Sequence, residues 1–309
     1  AKTIGVGMNM TEAARPLILD EAGGIGLFAV GYQRGCKPAG EDKGGCLSWS
    51  EMEIIRSIIQ EIKTKCRWCV VVAHGGEEFT AIPSPYTRER YHAYLEMGAD
   101  LVVCHHPHVP MNYETVGDKM IFYSLGNFIF DTDYQRAQFN TEKGILLKLH
   151  FTEDSYSFEA FGLKINRENE HIESAPLPRI FADIQENDYN KLEPLAAKMF
   201  LAATKRQQLF LYPDKFKDAT EEQWKAHFYE EKRSGRVPGE ALDFQIIYPI
   251  ARKRPKVHGK SVSWKLSKHI FWNRCSKYIR FRTMVKYCGN NEKITVAIFK
   301  INDIMEQVG

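Results

Sequence analysis

Short apolar runs alternate with amphipathic segments through the first half of the chain. Apolar runs predict strands at residues 3–7, 25–31, 69–73, 101–103, 120–124, 145–151 and 155–165. Apolar residues spaced three or four positions apart predict helices at residues 9–15, 50–62 and 85–97. Asn9 is the predicted N-cap of the first helix, and Ser50 with Glu53 forms a predicted capping box for the second. Such alternation is typical of an α/β domain.

The pattern changes in the second half of the chain. Helical patterns occupy residues 182–207, 220–232 and 264–286. A Glu-rich stretch with two prolines at residues 168–180 is the predicted linker. We therefore expect an α/β domain at residues 1–170 and a mainly helical region at residues 171–309.

Charge is distributed unevenly along the 309 residues. Residues 251–290 carry twelve Lys or Arg and no Asp or Glu, whereas the rest of the chain carries 30 basic and 39 acidic side chains. Such a basic segment either meets an anionic polymer or a lipid surface, or is a solvated helix face docked on the acidic body. Its aromatic residues could stack on nucleic-acid bases, but aromatics at helical spacing more often form core. No specific nucleic-acid partner is therefore expected.

Composition and cysteine spacing argue against a membrane-spanning protein and against a disulfide-linked one. No stretch approaches the roughly 18 uncharged apolar residues that span a bilayer, and the first residues lack the apolar region of a secretory signal. Seven cysteines without regular spacing argue against a disulfide framework. Cys66 and Cys69 form a C-x-x-C pair, but no second pair completes a zinc site. We expect reduced thiols, which fit a cytoplasmic or cytoplasm-facing protein.

Four histidines lie near the ends of two consecutive predicted strands. His74 follows one strand, and His105, His106 and His108 follow the next. Because ligands bind at the carboxyl ends of strands in α/β proteins, these side chains are candidates for a site. An H-x-H pair in an extended segment places both side chains on one face, and neutral imidazoles suit Zn, Mn or Fe. The alternative is that each histidine is structural, and the spacing by itself leaves both interpretations open.

Three polar residues near these histidines are also candidates. Glu77 is expected to be an exposed acid. Glu78 follows Gly76, which allows close backbone approach, so its carboxylate could orient a ligand imidazole. Asn127 follows a further predicted strand, where an amide binds a metal, contacts a substrate oxygen or caps a turn.

Three ordered motifs occupy this part of the chain. They are HGGEEF at residues 74–79, GADLVVCHHPHV at residues 98–109 and YSLGNFIFD at residues 123–131. In type and spacing they resemble the motifs of the CapA family of capsule and poly-γ-glutamate synthesis proteins, a branch of the calcineurin-like metallophosphatases. The resemblance extends over about residues 4–150, and Cys104 replaces the glycine that is usual in the second motif.

The resemblance implies a fold and a set of site residues. The fold would be an α/β metallophosphatase-like sandwich of two β-sheets flanked by helices. The implied metal ligands are His74, His106 and His108. The implied catalytic residues are His106, His108 and Glu78. Residues implied to contact the substrate or to support the ligands are His105, Asn127 and Asp131.

The resemblance also implies a biological setting. Family members carry a Gly-Asp strand and an Asn-His pair before the segment that matches residues 5–13, so we expect an N-terminally truncated chain with an incomplete two-metal cage. The expected cofactor is divalent Mn, Fe or Zn. Expected partners are an anionic capsule polymer or its precursor and other capsule-synthesis membrane proteins, at a cytoplasmic or membrane-associated location. The alternative function is a non-catalytic assembly or polymer-binding subunit that retains the fold.

Overall fold

The computed structural model describes residues 3–32, 36–184, 189–220, 222–224, 280–287 and 294–301. The strands are β1 (Val6–Gly7), β2 (Leu17–Leu19), β3 (Ile25–Gly31), β4 (Gly45–Cys46), β5 (Trp68–His74), β6 (Leu101–His105), β7 (Tyr113–Val116), β8 (Lys119–Phe122), β9 (Lys143–Phe151), β10 (Tyr156–Asn166), β11 (His171–Ala175), β12 (Arg280–Tyr287) and β13 (Ile294–Ile301). The helices are α1 (Met10–Ala13), α2 (Met52–Lys65), α3 (Pro85–Glu96), α4 (Asp133–Arg136), α5 (Tyr189–Leu211) and α6 (Pro213–Phe216). Each of the seven strands predicted from the sequence overlaps an observed strand.

A six-stranded mixed sheet carries the site and has the order β2-β3-β5-β6-β8-β7. Its four central strands are parallel, and the two edge strands run antiparallel to their neighbours. Every residue of β3, β5 and β6 is buried, which explains their continuous apolar sequences. Helix α2 connects β3 to β5 and α3 connects β5 to β6, so the polar residues that follow β5 and β6 share one edge of the sheet.

The second sheet is antiparallel and has five strands in the order β11-β10-β9-β13-β12. Alternate residues of β9, from Ile145 to Phe151, are buried in one core with the apolar residues of β3, β5, β6 and β8. The other face of the six-stranded sheet packs against α2 and α3. This arrangement confirms the predicted α/β sandwich and is consistent with a metallophosphatase-like fold.

Helix termini confirm one capping prediction and correct another. The Asn9 side chain accepts a hydrogen bond from the Glu12 backbone and caps α1, as predicted. The predicted capping box of α2 is wrong, because α2 begins after Glu51 and has no side-chain cap. The Ser50 hydroxyl instead lies 2.7 Å from the Ser48 hydroxyl. This local hydrogen bond replaces the one that Ser50 would have formed with the helix backbone.

The second half of the chain differs from the sequence prediction at two places. Residues 171–175 of the predicted linker form β11, which pairs along its length with β10 and so belongs to the sheet. Residues 280–287 form β12, where a helix was predicted. The remainder of the basic segment at residues 251–290 lies outside the described residues, and the domain boundary at residue 170 stays a prediction. Among the described helices, none has the length and apolar character needed to cross a bilayer.

Candidate metal centre

The predicted site residues meet at the carboxyl ends of two adjacent parallel strands. His74 ends β5 and His105 ends β6, and the two residues are paired in register. The loop after β5 carries Glu78, and the loop after β6 carries His106 and His108. The topology thus brings the first two sequence motifs together at one edge of the sheet.

Glu78, His106 and His108 form a group that could hold a metal ion. One ligand atom from each side chain lies within 4.8 Å of the other two. Both histidines are buried, at 4% and 5% relative exposure, whereas Glu78 is partly exposed. The distance from His106 Nε2 to Glu78 Oε1 is 3.9 Å. Two imidazoles and one carboxylate at this separation match the donor set of catalytic divalent-metal sites.

The backbone reaches this arrangement through rare conformations. His106 has a φ of 113° and His108 a φ of 63°, with Pro107 between them. The segment is therefore not extended, contrary to the expectation, but the two rings still converge on the same side, with centroids 5.9 Å apart. Non-glycine residues at positive φ are strained and persist only where the surrounding structure holds them. In this loop, that strain accompanies the convergence of the two rings.

A hydrogen-bond network fixes the orientation of His108. The Asn127 amide donates to the carbonyl of Thr141 at 2.9 Å and to Gln135 Oε1 at 3.1 Å, so Asn127 Oδ1 faces the ring. His108 Nδ1 lies 2.9 Å from Asn127 Oδ1 and must be the donor in this bond. The neutral imidazole therefore has its lone pair on Nε2, the tautomer that a metal ligand requires. Gln135 and Thr141 carried no site signal in the sequence.

Three other residues singled out in the sequence lie near this group without belonging to it. The ring centroid of His74 is 4.8 Å from that of His106, and a ligand role for His74 stays a prediction. The His105 backbone carbonyl accepts a hydrogen bond from Gly75, which ties the two loops together. Asp131 forms ion pairs with Arg136 and Arg167 at 2.8 and 3.0 Å.

Glu77 is not the exposed acid that was expected. Its side chain is only 5% exposed and accepts hydrogen bonds from the Ser84 hydroxyl at 2.6 Å and the Thr87 hydroxyl at 2.9 Å. Burial raises its pKa, and these hydrogen bonds partly offset the increase. Because Ser84 also caps α3, Glu77 fastens the Glu78 loop to the first turn of that helix.

Aromatic rings enclose the group on several sides. Phe79 and Phe130 stack on the His108 ring, with centroid distances of 5.9 and 5.0 Å. Tyr134 is hydrogen-bonded to Glu78, and its pKa is raised by burial and by that carboxylate. The Gln207 amide, from α5, lies 3.4 Å from Glu78 Oε2. Tyr134 and Gln207 carried no site signal in the sequence, because neither belongs to a motif around the histidines.

The cysteines of the described residues are buried and form no disulfide with one another; they are Cys36, Cys46, Cys66, Cys69 and Cys104. Cys104, which stands where the resemblance expects glycine, is fully buried beside Tyr91. Burial raises the pKa of its thiol, so this position is not a reactive thiolate.

Comparison with known proteins finds the same resemblance. Residues 1–132 match the family described as Bacterial capsule synthesis protein PGA_cap. The chain is 31% identical over 139 residues to the PGA biosynthesis protein CapA of Bacillus subtilis (strain 168), covering 44% of this chain and 36% of that protein. It is 28% identical over 157 residues to the Capsule biosynthesis protein CapA of Bacillus anthracis, covering 49% of this chain and 37% of that protein. The chain therefore spans little more than a third of the length of either relative.

The matched segment includes the candidate metal centre. Glu78, His106, His108 and Asn127 all lie within residues 1–132, whereas α5 with Gln207 lies outside them. The motifs, the family match and the two relatives agree with one another. Residues 1–132 therefore resemble the bacterial capsule synthesis protein family PGA_cap, in agreement with the CapA resemblance that the three motifs predicted.

Proposed function

We propose that Glu78, His106 and His108 bind a divalent metal ion and form a hydrolase-like site that acts in capsule-polymer biosynthesis. The observation that carries this proposal is the approach of their three ligand atoms to within 4.8 Å of one another. Two imidazoles with one carboxylate suit Mn, Fe or Zn. His74, whose ring lies against that of His106, is the proposed further ligand.

The side chains around this group have separate proposed roles. Asn127 holds His108 in the tautomer whose Nε2 accepts a cation. Phe79 and Phe130 limit the access of water to the same ring. The chemistry that a divalent ion supplies at such a site is polarisation of a phosphoryl or carbonyl oxygen and easier deprotonation of water. A histidine outside the ligand set would be the general acid toward the leaving group.

The proposed substrate is an anionic capsule polymer or its precursor, of the poly-γ-glutamate type. Its support is the family match and the two relatives, whose names refer to PGA and capsule biosynthesis. Other capsule-synthesis membrane proteins are proposed partners on the same basis. The competing function is a polymer-binding or assembly subunit that retains the fold and binds no metal.

Metal analysis of the purified chain separates these two functions. Mass spectrometry of the wild type is compared with His106→Ala, and with His171→Ala as a matched control on the exposed strand β11. We expect near-stoichiometric Mn, Fe or Zn in the wild type and the control, and loss of most of it in His106→Ala. Hydrolysis of phosphodiesters and of poly-γ-glutamate is then measured for all three. A folded wild type that binds none of these metals would overturn the proposal in favour of the assembly subunit.

A further inference from the structure

Helix α5 crosses the edge of the candidate metal centre. Near its beginning, the Tyr189 hydroxyl donates to the carbonyl of Pro83 at 2.7 Å. Toward its end, the Gln207 amide reaches Glu78, and Phe210 packs on Tyr134 with a centroid distance of 5.4 Å. The helix therefore contacts both Glu78 and the tyrosine that binds Glu78. It lies outside the residues that match the family, so it is a feature of this chain beyond the shared motifs.

Arg206 precedes Gln207 on this helix and is held in place without being neutralised. Its Nε donates to Gln138 Oε1 at 3.2 Å, and its guanidinium lies 4.4 Å above the centroid of the Phe139 ring. Burial lowers its pKa, and no carboxylate contributes to that shift. Among the described residues, no acidic side chain forms an ion pair with Arg206. Within the described part of the chain, neither terminal nitrogen of the fork has a carboxylate partner, so both suit an external anion.

A second donor lies beside this guanidinium. Gln138 is 3% exposed, and its Nε2 is a buried donor with no hydrogen-bond partner in the part of the chain that the structure describes. The oxygen of the same amide already accepts from Arg206, so the amide nitrogen is next to the guanidinium. A buried donor without a partner is costly, and an anionic oxygen is the group that would satisfy it.

The nearby Arg136 and Arg167, in contrast, form ion pairs with a carboxylate. Arg136 and Arg167 both pair with Asp131, at 2.8 and 3.0 Å. Each therefore has a carboxylate partner within the protein, although the two guanidinium groups share it. Arg206 differs because its fixed contacts are an amide oxygen and an aromatic face, neither of which carries a negative charge.

We propose that Arg206 and Gln138 form an anion-binding subsite beside the metal centre, which holds a carboxylate or phosphate group of the substrate. The proposal rests on the proposed function for its link to catalysis, but the binding itself needs only these two side chains. A planar guanidinium with an adjacent amide donor suits either anion, because each presents two or more oxygens to a bidentate donor. The subsite would position a polyanionic chain along α5.

Direct binding measurements on the full chain test this subsite. Titration calorimetry in the presence of a chelator uses two probes, a short γ-linked oligoglutamate and inorganic phosphate. Arg206→Gln is compared with Lys198→Gln, which removes the same charge from an exposed position on the same helix. We expect Arg206→Gln to weaken binding about tenfold to a hundredfold, and Lys198→Gln less than about twofold. The probe that shows the Arg206 dependence identifies the carboxylate or the phosphate as the ligand group.

Further measurements separate this proposal from protein folding and from the proposed function. Arg206→Lys keeps the charge but loses the bidentate fork, so we expect an intermediate loss of affinity, even if Arg206→Gln fails to fold. Equal weakening by Arg206→Gln and Lys198→Gln, or none by either, would overturn the subsite. If the chain contains no metal as purified, and its probe binding still depends on Arg206, the proposed hydrolase is overturned and the subsite stands. If Arg206→Gln keeps its metal and binds the probes as tightly as the wild type, the subsite is overturned and the proposed hydrolase stands.

Discussion

Helix α3 lies beside two buried clusters that each combine a carboxylate with histidine. At one cluster, Glu114 is bound by Arg88, His92 and Tyr123. At the other, Glu78 lies with His106 and His108, next to the loop that Glu77 fastens to the helix. Both clusters lie beside α3, but the groups that contact the two carboxylates differ in charge.

The Glu114 cluster brings its own cation. Burial opposes ionisation of Glu114, but hydrogen bonds from His92, Arg88 and Tyr123 outweigh it and lower the pKa of the carboxyl to about 2. The group at Glu78 contains two imidazoles, which are neutral when they bind metals, and one carboxylate. The contacts described for Glu78 are made by the uncharged side chains of Tyr134 and Gln207 and by His106. A carboxylate that is already paired stabilises the fold, whereas one grouped with imidazoles is suited to an added cation.

Removal of the Arg88 cation tests the structural half of this comparison. Arg88→Met leaves the buried Glu114 carboxylate without its main partner, so we expect a loss of about 3 kcal/mol or more in free energy of unfolding. Metal content should not change. Urea denaturation measures the stability, and Arg56→Met on the exposed face of α2 is the control, expected within about 0.5 kcal/mol of wild type. Loss of bound metal in a folded Arg88→Met chain would show that the two clusters are not independent.

Removal of the Asn127 amide tests whether the cluster of Glu78, His106 and His108 binds metal. Asn127→Ala frees the His108 ring to rotate and to change tautomer, so we expect metal affinity to fall about tenfold to a hundredfold. Competition with a chromogenic chelator measures the affinity. Asn112→Ala removes another buried asparagine, one that has no bond to His108, and should change the affinity by less than about twofold. Equal effects of the two substitutions would indicate a general loss of packing and contradict the orienting role.

The sandwich was largely predictable from the sequence, because buried parallel strands leave a strong signal. Strands β3, β5 and β6 are buried along their whole length, and their uninterrupted apolar sequences predicted them. The edge strands β2 and β7 were missed. Leu17–Leu19 is only three residues long, and Tyr113–Val116 contains the buried acid Glu114, so neither shows a clear period.

The site was predictable only in part, for physical reasons that differ between residues. The histidines follow strand ends, and the topology of a parallel sheet brings such positions together. The positive φ of His106 was not predictable, since local preference disfavours it and the tertiary structure imposes it. Burial of Glu77 depends on hydroxyls from the next helix, and Gln207 meets Glu78 across 129 residues of sequence. Local patterns do not report such distant contacts.

Acid titration of Glu114 has a small expected effect on stability and reports directly on the charge of its carboxylate. Glu114 has a folded-state pKa of about 2, below the value of roughly 4.3 for an unfolded glutamate. Between these two values the unfolded chain binds the proton and the folded chain does not, so stability falls as pH decreases. The contribution of Glu114 is complete above about pH 4.5 and is lost as pH falls through its folded pKa.

The expected slope can be isolated with one substitution. Between pH 4 and pH 3, this single group should lower the free energy of unfolding by about 1 kcal/mol in the wild type. Glu114→Gln keeps the size of the side chain and cannot titrate, so its acid limb should be flatter by that amount. Urea denaturation at each pH measures both limbs in the presence of a chelator, so that metal binding does not contribute. Identical limbs would mean that Arg88 and His92 do not hold Glu114 ionised in acid, and the contrast between a paired and a cation-binding carboxylate would then lose its physical basis.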